Sequence, residues 1–187
     1  LALLEGWSAQ GYRVLGVASK AIDERTEPYV RGDESGLNLD GFLLFMDPPK
    51  TDVRQTLKDL AQRGVQLKVI TGDNRHVAMH LAQVIDLPQG AVMTGRELND
   101  MADEALMHAA KQTVVFAEVD PNQKERIILA LKKMGHVVGY MGDGINDALA
   151  LHAADVGISV DTAVDVAKDA ADFVLLCKDL GILSQGI

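Results

Sequence analysis

From residue 65 onward the chain alternates two kinds of hydrophobic pattern. Short apolar runs rich in β-branched residues, at 65–70, 113–116, 136–141, 156–160 and 173–176, predict buried strands. Between them apolar residues recur at helical spacing. Val77, Leu81, Val84 and Ile85 fall on one face of a helix over 74–85, and Ile127, Ile128, Leu131 and Met134 on one face of a helix over 121–134. Asp120 and Pro121 suit the cap and first position of that second helix, where a missing N–H costs nothing. Strands alternating with helices predict parallel βαβ units with helices on both faces, an α/β fold.

The first 46 residues follow another pattern. Residues 12–18 and 39–46 predict two strands, joined by a polar stretch over 20–38 that carries Glu24, Arg25, Glu27, Arg31, Asp33 and Glu34 and reads as an exposed loop. Asp47-Pro48-Pro49-Lys50 then forms a stiff joint, because its prolines fix φ and cannot donate to a sheet, before a helix that begins near Thr51. A domain boundary is expected there, dividing 1–46 from 47–187. The segment before it is expected to pack poorly, to move, or to find a partner, since two strands alone leave exposed edges.

Composition narrows the classes of function. In 187 residues there are 18 Lys+Arg against 27 Asp+Glu, a net charge of −9, which argues against a nucleic-acid surface. Hydrophobic residues at 48% and charged residues at 24% are those of an ordinary folded domain. One cysteine, Cys177, forbids an intrachain disulfide and fits a reducing compartment; at the end of an apolar strand it is expected to be buried. No apolar run approaches the roughly 18–20 residues of a membrane span, so the stretch is expected to be soluble. Its amino end has no signal-peptide pattern and starts at Leu1 within an expected helix, as an excised piece of a longer protein would.

Ligands of open parallel sheets bind beyond the carboxyl ends of strands, which directs attention to two loops. One is Thr71-Gly72-Asp73-Asn74, and the other is Gly142-Asp143-Gly144-Ile145-Asn146-Asp147. Both join carboxylates to glycines, which let backbone N–H groups approach an anion, and both open a helix, whose amino end favours phosphate. Carboxylates beside an anion require a cation between them. Mg2+ supplies it, taking one or two carboxylates with phosphate and water, so Asp143 and Asp147 are the candidate metal ligands, with Asn146 between them. Thr71 is then placed to bond a phosphoryl oxygen and Lys124 to neutralise its charge. Taken singly, the first loop is also a common turn with an Asn cap, and Lys124 an ordinary solvated helix residue. His76 and His80 stand one helical turn apart, but without a third ligand a solvated face explains them better.

Asp47-Pro48-Pro49-Lys50, Thr71-Gly72-Asp73-Asn74, Val115-Phe116-Ala117 with Pro121 and Lys124, and Met141 through Ala148 resemble the successive cytoplasmic motifs of the P-type ATPases. The run 154–161 and the spacing between motifs, through Thr94-Gly95-Arg96-Glu97-Leu98 and Asp103-Glu104-Ala105-Leu106, look most like the magnesium-transporting branch. The resemblance implies a haloacid-dehalogenase-like, Rossmannoid phosphorylation domain over 47–187, with 1–46 the returning end of an inserted nucleotide-binding domain. It implies ATP and Mg2+ as cofactors, Asp143 as metal ligand with Asn146 and Asp147 in support, and Thr71, Gly72 and Lys124 on the phosphoryl group. Asp73 would lie on the nucleotide side and Asp47 at the hinge. The partners implied are the nucleotide, actuator and membrane domains of one pump, with no nucleic acid, in a membrane whose cytoplasmic side this segment faces. The nucleophile motif Asp-Lys-Thr-Gly-Thr is absent, so the isolated chain is expected to be inactive. Glu118 stands where relatives carry a basic residue, and Leu149 where they carry proline. The alternatives are a soluble phosphatase of the same superfamily, which the lack of an Asp-x-Asp opposes, and a non-catalytic nucleotide-binding module.

Overall fold

Two parallel sheets of three strands carry the candidate loops. The computed structural model describes residues 2–22, 28–50, 52–177 and 179–186, so Glu24, Arg25, Glu27 and Thr51 lie outside the described residues. The elements run α1 (Ala2–Ala9), β1 (Arg13–Ser19), β2 (Asn38–Phe45), α2 (Val53–Gln62), β3 (Val69–Ile70), α3 (Arg75–Val84), β4 (Ala91–Thr94), α4 (Gly95–Asn99) and α5 (Asp103–Gln112). There follow β5 (Thr113–Ala117), α6 (Pro121–Lys133), β6 (Gly139–Met141), α7 (Ala148–Ala153), β7 (Val156–Val160), α8 (Asp165–Asp169), β8 (Phe173–Leu175) and α9 (Gly181–Gly186). The sheets have the orders β3-β5-β4 and β6-β7-β8, and every pairing within them is parallel.

The sheets share one core, and α6 joins them. It buries Lys124, Ile127, Ile128 and Leu131 and packs between α5 and α7. Phe116 from β5, Tyr140 from β6, Leu151 from α7 and Val160 from β7 belong to the same apolar cluster. A smaller cluster of Ala78, Val115 and Ala117 seats α3 on the β3-β5-β4 sheet. Asp120 caps α6 as expected, its Oδ1 accepting from the Gln123 amide, and Gln123 Oε1 accepts in turn from the Asp120 amide, each at 2.9 Å, completing a capping box.

Several expectations need correction. Of 65–70 only Val69–Ile70 pairs as strand; before it, the polar Lys68 gives its ammonium to the carbonyls of Lys111, at the end of α5, and Thr113, at the start of β5. Residues 173–176 are not a buried strand: β8 is the edge of its sheet, Phe173 is 62% exposed and Leu176 is 81% exposed. Cys177, beyond that edge, is exposed rather than buried. Val137 is likewise exposed, since β6 starts only at Gly139.

At the amino end the expected strands form an antiparallel hairpin, pairing Arg13 with Phe45. Leu15, Leu39, Leu43 and Phe45 on it are exposed. The rest of the segment is anchored to α3. Ser8 of α1 is buried and accepts from Asn74 Nδ2 at 3.1 Å, and the His80 ring lies over Gly11, leaving no room for a Cβ at a position whose φ of +88° already favours glycine. Among the described residues no helix is long and apolar enough to cross a membrane.

Candidate functional site

The loop after β3 is sewn to the turn between β5 and α6. The Thr71 amide donates to the Phe116 carbonyl at 2.9 Å, and the Val119 amide donates to the Thr71 carbonyl at 3.2 Å. Thr71 Oγ1 accepts from the Asp73 amide at 3.1 Å, so one lone pair closes the turn and the hydroxyl proton can be given outward. Asn74 caps α3 by accepting from the Val77 amide at 3.0 Å. Gly72 is exposed. The Asp73 carboxylate is held by Arg13 of β1 at 2.6 Å.

Glu118 has a local reason to be acidic. Its φ is +57°, its amide donates to the Asp73 carbonyl, and its carboxylate accepts from the Arg75 amide at 3.0 Å. An anion there satisfies a free N–H and meets the positive end of the helix dipole. A basic residue would do neither.

Beyond β6 the glycine loop folds around Asp147. A Cβ on Gly142 would collide with the Asp147 side chain, so glycine is required there. The Gly142 amide donates to Ile158 and its carbonyl accepts from Ser159 Oγ at 2.9 Å, while the Asp143 carbonyl accepts from the Val164 amide at 3.1 Å. The backbone of Asp143 is thus fixed and its side chain is exposed. Asp147 Oδ2 accepts from the Gly144 amide at 3.0 Å. Its Oδ1 accepts from Lys124 Nζ and from the Tyr140 hydroxyl, both at 2.7 Å. Burial opposes ionisation of Asp147, but the bonds from Lys124, Tyr140 and Gly144 outweigh it and hold the carboxyl below its usual range. Burial first, and then the bond to Asp147, push the Tyr140 phenol far above its ordinary value.

Lys124, Asp147 and Asp143 are therefore joined directly or through one loop, and Thr71 is tied to the same β5–α6 corner from which Lys124 springs. Asn146 is exposed in the short helical turn Ile145–Asp147. Asp47 is exposed after β2, and Lys50 and Val53 beyond it line a cavity of about 370 Å³ with Met141, Asp143 and Leu180. Arg13 and Tyr140 escaped the sequence reading: Arg13 opens an apolar strand as many solvated residues do, and Tyr140 has the pattern of a core position.

The donors at the glycine loop are carboxylate oxygens, which suit a hard cation such as Mg2+ and not a soft one. Among the described residues there is no group of three or more His, Cys, Asp or Glu placed to hold a metal on their own.

The chain matches the haloacid dehalogenase-like hydrolases over residues 11–155. It is 47% identical over 178 residues to the "Magnesium-transporting ATPase, P-type 1" of Escherichia coli (strain K12), covering 95% of this chain and 20% of that protein. To a protein of the same name from Salmonella typhimurium (strain LT2) it is 43% identical over 189 residues, 100% of this chain and 21% of the relative. The "Calcium-transporting ATPase" of Bacillus subtilis (strain 168) is 34% identical over 189 residues, again 100% of this chain and 21% of the relative. The chain thus spans about one fifth of the length of these relatives. With parallel sheets flanked by helices and loops of this chemistry at the strand ends, the chain belongs to the haloacid dehalogenase-like hydrolase family, and its sequence is of the P-type ATPase kind.

Proposed function

We propose that this chain is the cytoplasmic phosphorylation portion, with the returning end of a nucleotide-binding domain over 1–46, of a membrane pump that couples ATP hydrolysis to transport of a cation, Mg2+ on the strength of its relatives' names. The observation that carries the reading is the buried Lys124–Asp147 pair at 2.7 Å, held at a glycine loop whose tip is the exposed Asp143. Such a pair is costly to bury, and a site that handles phosphate gives it a use.

Each residue then has a task. The Lys124 ammonium has three protons and gives one to Asp147, which leaves donors for a phosphoryl oxygen. Thr71 offers its hydroxyl proton from the neighbouring strand end, with the Gly72 amide beside it. Asp143 would hold Mg2+ directly, and Asp147 with Asn146 would support it through the loop and its water shell. When bound, the ion would neutralise phosphoryl charge. Asp73 lies on the nucleotide side and Asp47 at the hinge. The attacking carboxylate is assigned to a part of the parent outside this sequence, since Asp-Lys-Thr-Gly-Thr does not occur in it. Phosphoryl transfer needs an in-line attacking oxygen, and positioning cannot replace one.

The test is incubation of the full-length parent with radiolabelled ATP and Mg2+, acid quench and an acidic gel. Label that is acid-stable and hydroxylamine-sensitive supports the reading, and its absence contradicts it.

A further inference from the structure

Asp147 is the hinge of the site, and the question is what orients its carboxylate. The terminal torsion of an aspartate is broad, so its donors decide where the two oxygens point. Lys124 cannot do so alone, because an ammonium on a flexible four-carbon stem follows the carboxylate. Gly144 cannot either: its amide sits in the loop that Asp147 itself folds. Tyr140 is the independent anchor. It lies in β6, pairs with Gly157 of β7, is 7% exposed within the shared core, and sets its hydroxyl 2.7 Å from Oδ1. A ring on two torsions, packed on all sides, fixes its hydroxyl far more tightly than a lysine fixes its amine.

We propose that Tyr140 is a positioning residue: its phenol sets the Asp147 carboxylate, and through it the direction in which Lys124 presents its ammonium at the strand ends. The catalytic half of this rests on the function proposed above. The positional half concerns this chain alone. Nothing in the glycine-loop motif asks for a hydroxyl at 140, where an apolar residue would complete the core equally well.

The test pairs two measurements on Tyr140→Phe, which keeps the ring and removes only the donor. In the full-length parent, phosphoenzyme formation should slow about threefold to tenfold, as for loss of one hydrogen bond to a charged partner, with KM for ATP unchanged. In an Asp147→Ala background, which leaves no acceptor opposite the phenol, the same substitution should cause no further loss. Equal losses in both backgrounds, a change confined to KM, or an unchanged rate would overturn the proposal. In the 187-residue chain without nucleotide, 15N-lysine NMR should show the Lys124 ammonium signal displaced in Tyr140→Phe. An unmoved signal overturns the positional half. A wild-type parent that takes no label overturns the function and the catalytic half together, and the NMR result still decides the positional one.

Discussion

Lys124→Met removes a buried charge, keeps an apolar stem of similar length, and strands the Asp147 carboxylate. The two side chains are 11% and 13% exposed, so the pair is shielded from water. Removing one partner of such a pair costs about 3–5 kcal/mol, because the other charge stays buried. Tyr140 and Gly144 still donate to Asp147, which places the loss at the lower end, about 3 kcal/mol, or about 6–12 °C in Tm for a chain of this size. The pH dependence distinguishes this cause from ordinary loss of packing. In the wild type the folded carboxyl lies below its ordinary 3.8, so its contribution is present above that value and fades as pH falls through the folded one. In Lys124→Met burial, the largest influence on Asp147, loses its strongest opponent and the folded pKa moves up. The deficit should therefore be largest at neutral pH and shrink as Asp147 takes up a proton. Urea unfolding followed by circular dichroism at about pH 7 and about pH 4.5 measures it. An equal deficit at both pH values, or none at neutral pH, would refute the reasoning.

Gly142→Ala should destabilise the chain and slow phosphorylation of the parent, because its Cβ would overlap the Asp147 side chain; a wild-type melt and rate would contradict that close approach. Arg13→Ala should cost no more than about 1 kcal/mol in global stability, since the pair with Asp73 is 65% and 33% exposed. Amide exchange across β1 and β2 should nevertheless quicken relative to β6, and unaltered protection of the hairpin would count against the anchor. The 187-residue chain, incubated with radiolabelled ATP and Mg2+, should acquire no hydroxylamine-sensitive label; stable label would mean that a carboxylate within it is the nucleophile.

The sequence showed the fold where pattern and length agreed. Residues 113–116 and 156–160 became β5 and β7, the inner strands of their sheets, because continuous apolar runs can be satisfied only with neighbours on both sides. The edge strands β3, β6 and β8 came out shorter or more exposed than the same kind of run suggested, since apolarity alone does not tell an inner strand from an edge. Residues 91–112 hold β4, α4 and α5, none of which periodicity announced: the first two are too short. A capping box starts α4, with Glu97 Oε2 accepting from the Thr94 amide at 2.7 Å, and it went unread in the sequence. At the site, Lys124 and Asp147 were named from the chain and do meet. The third donor to that carboxylate was not, because a tyrosine inside an apolar strand declares its ring to the reader and keeps its hydroxyl hidden until the partner is placed.

If these strand ends serve phosphoryl transfer in a larger pump, the hydroxylamine-sensitive phosphoenzyme of the full-length parent, compared with that of Asp143→Asn, will show it. Acid-stable label that requires Mg2+ is expected on the wild type, with its collapse in Asp143→Asn, where a hard cation loses an anionic ligand. Label that forms equally in Asp143→Asn, at the same Mg2+ requirement, would contradict the assignment of this loop.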